Sequence, residues 1–255
     1  SMPKPGRKSM PASGMAAKPT RPSSRPSRPR CPTPDDECRS RSELWYNLPV
    51  HSHGSAVEMA NTEPGKRTPY FIALGLAAAI LLVYWPVFRN GFVWDDLPYL
   101  VDNPDLHLGL GLPGMKFAFL SARYGTWNPL GWLSLMLDYQ VFGLRPWGYH
   151  LISLAFHIAN TLLLFVLLTR MTGHPWRSGF VAALFAVHPL NVESVAWIVA
   201  RKHVLGVVFL MATMLAYLHY VGRPNWSRYC LVALVFALGL MANSMLVTLP
   251  IALLL

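Results

Sequence analysis

Apolar stretches of membrane-crossing length alternate with short polar breaks along most of this chain. A helix needs about 20 apolar residues to cross a bilayer. Five segments meet or approach that length: 69–88, 149–169, 178–200, 204–221 and 229–255. The pattern predicts an all-α, polytopic membrane protein with a helical bundle over 69–255. The last stretch runs to Leu255, and the expectation is a membrane fragment of a longer protein.

The first 68 residues follow a different pattern. They hold 12 of the 22 Lys and Arg, 6 of the 12 Asp and Glu, and 11 of the 22 Pro. So polar and Pro-rich a stretch has little to bury, and residues 1–68 read as a disordered basic tail. Cys31 and Cys38 lack the spacing of a metal knuckle. The basic run favours a solvated tail over a nucleic-acid partner.

Charge orients the spans. The tail carries a net +6, which predicts a cytoplasmic N-terminus. The loop 89–148 holds four basic and five acidic residues and belongs on the outer side. Within it, Leu130, Leu133, Leu137 and Val141 recur at helical spacing, with Ser134 and Asp138 on another face. This predicts a helix lying in the membrane interface. Trp94, Trp127, Trp132 and Trp147 suit an aromatic belt.

Polar residues then break the apolar pattern at particular places. Asp95 and Asp96 lie just past the first span. Arg201, Lys202 and His203 fall on the outer side, against the charge rule. The third span carries His188, Pro189, Asn191 and Glu193, and Glu193 is the sole acid after Asp138. Ionisable groups within spans mark functional sites or demand a partner. For Glu193 the plain alternative is an ion pair with Arg201. Asn243 lies roughly 21 Å into the fifth span, and His150 lies at the outer end of the second. His157 and Asn160 read as packing or hydrogen-bonding residues nearer the middle.

These groups converge on one outer region. Cations there would hold a phosphate leaving group, and a carboxylate would deprotonate an acceptor hydroxyl. Asp95, Asp96 and Glu193 are the candidate catalytic acids. Arg201, Lys202 and His188 are the candidate phosphate ligands, and Asn243, His203 and His150 are further site candidates. Asp95 and Asp96 could also attract a divalent cation, since hard oxygen ligands suit Mg²⁺ or Mn²⁺. Two adjacent acids alone do not define a metal site.

Several short motifs occur together: Phe92-Val93-Trp94-Asp95-Asp96, Asn128-Pro129-Leu130, Leu137-Asp138-Tyr139, Phe142-Gly143-Leu144, His188-Pro189, Glu193-Ser194-Val195-Ala196 and Leu246-Val247-Thr248-Leu249-Pro250. In this order they resemble the transmembrane and tetratricopeptide-repeat O-mannosyltransferase-like proteins and their bacterial relatives. That family belongs to the membrane glycosyltransferases of the C-type fold. The resemblance implies a polyprenyl-phosphate-linked sugar donor, a protein or glycan acceptor, and helical repeats after the membrane domain. It also implies an acidic motif at Asp95 and Asp96, a third-span motif at His188 and Glu193, and a basic residue at Arg201. A bacterial inner membrane would place the site in the periplasm; an endoplasmic reticulum would place it in the lumen. The bacterial resemblance favours the former.

The family pattern has a second His where this chain has Asn191, an acid where it has His203, and in bacterial members a Lys where it has Asn243. These departures motivate an alternative, a non-catalytic membrane scaffold of the same fold. A proton-coupled transporter built on Glu193 and His188 fits less well, because the polar groups collect in one leaflet and show no inverted repeat.

Overall fold

The computed structural model describes residues 67–121 and 127–250. The expected tail and its cysteines lie outside the described residues, apart from Arg67 and Thr68. The described residues are helical and contain no strand, as the apolar pattern requires.

Helix α1 spans Thr68–Tyr84 and tightens into a 3-10 turn at Trp85–Arg89. A long loop follows. It contains a π turn at Leu97–Val101, a 3-10 turn at Leu106–Leu108, and helix α2 at Leu112–Leu120. Helix α3, Pro129–Phe142, forms where the apolar spacing predicted a helix. Helix α4 is Pro146–Thr172, α5 is Pro175–Val187, α6 is Leu190–Ala196, α7 is Arg201–Gly222 and α8 is Trp226–Ala242. A last 3-10 turn spans Ser244–Thr248. Proline occupies the first or second position of α1 to α5, where its missing N–H costs nothing. Gly173, at φ 73°, closes α4 in the left-handed conformation.

The first, second and fourth expected spans are single helices long and apolar enough to cross a membrane, at Thr68–Arg89, Pro146–Thr172 and Arg201–Gly222. The third, expected to be continuous over 178–200, is broken. Helices α5 and α6 meet at a 62° bend. The bend sits at His188-Pro189, where the proline cannot donate to the helix ladder. The fifth is shorter than its apolar run. Helix α8 has 17 residues and stops at Asn243, whose backbone is extended (φ −154°, ψ 121°) and whose side chain accepts from Met245 N–H. Residues 251–255 lie outside the described part.

Helix α4 is the central post, packed against α1, α5 and α7, while α7 packs along α8. Ile80, Tyr84, Leu154, Ala186, Val195 and Val204 fill the space between spans. Gly206 lets α7 and α8 touch, because a Cβ there would sit 2.7 Å from Asn243 Cβ. Large apolar side chains such as Phe71, Leu82, Phe180 and Leu234 cover the outside, as a bilayer solvent favours. This is a multi-pass membrane protein.

A second core involves the loop between α1 and α4. Leu100, Leu106, Trp132, Leu135, Met136, Tyr149 and Ile198 form it. Of the expected apolar stripe on α3, Leu137 and Val141 are exposed (49% and 64%), whereas Leu130 and Leu133 are half-buried and Leu133 packs on the core; Asp138 is buried.

Candidate functional site

The loop between α1 and α4, the N-termini of α4 and α7 and the turn after α6 meet at one end of the bundle. This end contains most of the sequence-predicted site residues, and the fold sorts them into an inner, bonded set and an outer, open set.

Asp96 belongs to the inner set. It is fully buried. Its Oδ2 accepts from Val93 N–H at 3.1 Å and its Oδ1 accepts from Val199 N–H at 3.1 Å. One side chain thus ties the first outer loop to the turn between α6 and α7. Burial pushes its carboxyl above the usual range. The two N–H bonds pull it back down, and neighbouring Asp95 adds to the rise.

Arg201 also belongs to the inner set and is only 1% exposed. Its Nε donates to Ser153 Oγ at 3.1 Å, one terminal nitrogen donates to Ser134 Oγ at 3.3 Å and to Asp138, and the other donates to the Tyr149 carbonyl at 2.6 Å. Its guanidinium carbon lies 5.8 Å from the centre of the Tyr149 ring. The expected ion pair with Glu193 is replaced by one with Asp138. Each guanidinium nitrogen has a partner inside the protein. Burial raises the Asp138 carboxyl against the pull of Arg201.

His150 is fully buried. Its ring faces the backbone at Asn90 and Gly91 without a hydrogen bond of good geometry. His203 and Asn243 face one another, with His203 Nδ1 3.1 Å from Asn243 Nδ2. His188 is not brought to this end. It lies at the bend, where its Nδ1 accepts from Leu190 N–H at 3.2 Å, and the seven residues of α6 separate it from the outer turn by about 10 Å.

In the outer set, Glu193 lines an open groove of about 630 Å³. Asn90, Val93, Trp94, Glu193 and Trp197 are among its lining residues. Glu193 and Asp95 are both exposed. Trp94 is held at φ 48°, a conformation that costs a bulky residue free energy. Its ring meets Trp197 edge to face, with centroids 6.3 Å apart. A carboxylate between aromatic walls can receive a proton from a hydroxyl held against it.

Lys202 is half-buried and makes no ion pair among the described residues. It stands beside the first turn of α3. A Cβ at Gly131 would lie 3.7 Å from Lys202 Cβ and 2.8 Å from Asn128 Nδ2. Free N–H groups at a helix start favour an anion.

Both Asp96 oxygens are taken by backbone N–H groups. Among the described residues no group of three or more His, Cys, Asp or Glu side chains could hold a metal.

Sequence reasoning missed Asp138 as the partner of Arg201, and it missed the groove walls Asn90 and Trp197. Ser134 and Asp138 are four residues apart and share a helix face, so their shared polar side was legible from spacing while the partner was not.

The fold and this end define a multi-pass, all-α membrane protein with an acid-bearing groove at one side. Comparison with known proteins narrows the class. The chain is 31% identical over 177 residues to Protein O-mannosyl-transferase TMTC3 of Mus musculus, covering 64% of this chain and 19% of the relative. It is 31% identical over 183 residues to Protein O-mannosyl-transferase Tmtc1 of Drosophila melanogaster, covering 68% and 21%. It is 28% identical over 196 residues to Protein O-mannosyl-transferase Tmtc2 of the same fly, covering 70% and 20%. These similarities place the membrane part of the chain in the TMTC-like family. The chain spans about a fifth of the length of these curated relatives. No family profile matches it. No solved structure matches it.

Proposed function

We propose that this chain forms the sugar-transfer site of a membrane glycosyltransferase. A mannose-like sugar leaves a polyprenyl-phosphate donor for a protein or glycan hydroxyl. The observation that carries this reading is the division of the acids. Asp96 is spent on backbone bonds, whereas Glu193 lines the groove and Asp95, next in sequence to the groove wall Trp94, is exposed.

One of these two carboxylates accepts the proton of the acceptor hydroxyl. The hydroxyl oxygen forms the new bond to the sugar's anomeric carbon. The bond from that carbon to the phosphate oxygen breaks, and polyprenyl phosphate leaves with the electron pair. Lys202 and the first turn of α3 steady the leaving phosphate. Arg201 acts one step back, by holding α3, α4 and α7 in register. The names of the relatives as O-mannosyl-transferases support the reaction class.

The basic tail and acidic loop favour a groove facing away from the cytoplasm, which is the periplasm if the membrane is a bacterial inner one. Transfer from polyprenyl-phosphate mannose by the protein in nanodiscs tests the reading. Activity that falls with Asp95→Asn or Glu193→Gln supports it, and activity that neither change affects removes the groove from the chemistry.

A scaffold reading draws on one observation. His203 and Asn243 bond to each other instead of presenting charge to a ligand. Failure of a folded protein to bind the donor would favour it.

A further inference from the structure

A small cavity lies within the bundle beside the bend between α5 and α6, apart from the outer groove. Its volume is about 60 Å³, and its polar lining is His157, Asn160, Asn191, Ser194 and His203. Several of these groups have partners in the protein. His157 Nε2 meets the Ala186 carbonyl at 3.0 Å, and Asn191 Nδ2 donates to the Phe185 carbonyl at 2.6 Å. His203 is engaged with Asn243.

Asn160 is different. It is 2% exposed, and its Nδ2 donates to the Val204 carbonyl at 2.8 Å. That bond fixes the amide, yet its buried Oδ1 accepts no hydrogen bond from the protein. A buried carbonyl oxygen without a donor is costly, and native proteins supply one. The cavity is polar and large enough to do so. At roughly 30 Å³ per water, it has room for about two molecules.

We infer that ordered water occupies this cavity and donates to Asn160 Oδ1. The same water reaches Asn191 and Ser194 on α6 and His203 on α7. It therefore joins α4, α6 and α7 where the third span is bent. Proline breaks the helix ladder at this bend, and non-helical backbone at membrane depth persists where protein or water satisfies it. A cation suits the lining less well, since its donors are amides, a hydroxyl and imidazoles without a carboxylate.

Hydroxyl-radical footprinting of the whole chain in nanodiscs tests this, with mass spectrometry after rapid mixing into ¹⁸O-labelled water. His157 is the reporter and is 2% exposed. Phe165, 3% exposed in a separate apolar cluster, is the dry control. Trp94, 79% exposed, is the bulk control. His157 should oxidise several-fold faster than Phe165 and take up ¹⁸O more slowly than Trp94. Labelling of His157 as weak as that of Phe165 would overturn the inference. So would ¹⁸O uptake as fast as at Trp94, which means bulk solvent. Ser194→Leu fills the cavity and should abolish His157 labelling while circular dichroism keeps its helical signal. Labelling that persists in that folded variant would count against ordered water.

Discussion

Arg201 and Asp138 form a buried ion pair between residues 63 positions apart. It ties helix α3 to the start of α7, and two further bonds bring in Ser153 and the Tyr149 carbonyl on α4. Three elements that shape the outer end are fastened by one side chain. Removing one partner leaves a buried charge unpaired, which costs about 3–5 kcal/mol. Arg201→Met and Asp138→Asn should each lower the melting temperature in detergent clearly. Arg201→Lys should fail to restore it, because an ammonium cannot reproduce the forked contacts. The double variant should be less destabilised than the sum of the singles.

Asp96 links stability to pH. Burial raises its carboxyl above the ordinary range, so the folded state binds this proton more tightly than the unfolded state. Stability from this group is present at low pH and declines as pH rises from about 4, the unfolded value, through the raised folded value. Asp138 contributes with the same sign. Asp96→Asn should therefore make the decline shallower without abolishing it. Chemical denaturation across the acid range measures the slope, and an unchanged slope in the variant would show that Asp96 is not its source.

Trp94 pays backbone strain at φ 48°. Trp94→Gly relieves that strain, worth about 1 kcal/mol, while removing a wall of the groove. Stability should hold or rise slightly while sugar transfer falls. A loss of stability matching the loss of activity would mean that the ring serves packing.

Gly206 sets the approach of α7 to α8. Gly206→Ala places a methyl 2.7 Å from Asn243 Cβ, and overpacking of this kind costs about 1–3 kcal/mol. The same change at Gly75, whose surroundings are open, should be neutral or mildly stabilising. Thermal unfolding of the two variants side by side measures the difference.

Three of the spans were legible as long apolar helices, because bilayer length and apolar composition leave few alternatives. The partner of Arg201 was not. Glu193 is eight residues away and Asp138 is 63 positions away, and only the packing of α3 over α4 and α7 chooses between them. Pro189 announced a disturbed third span, but its 62° bend depends on what the neighbouring helices allow. Asp95 and Asp96 were indistinguishable as a pair. The fold separates them by giving Asp96 the Val199 N–H and leaving Asp95 outside.

That separation is the central claim, and mannose transfer from polyprenyl-phosphate mannose by the nanodisc-embedded protein tests it most directly. Wild type, Asp95→Asn, Glu193→Gln and Asp96→Asn would be compared, each with a parallel melting curve. We expect the base, Asp95 or Glu193, to show itself by a loss of roughly 100-fold or more at an unchanged melting temperature. Asp96→Asn should instead alter the melting behaviour, with activity lost only as far as folding is. Wild-type rates in both Asp95→Asn and Glu193→Gln would contradict the account.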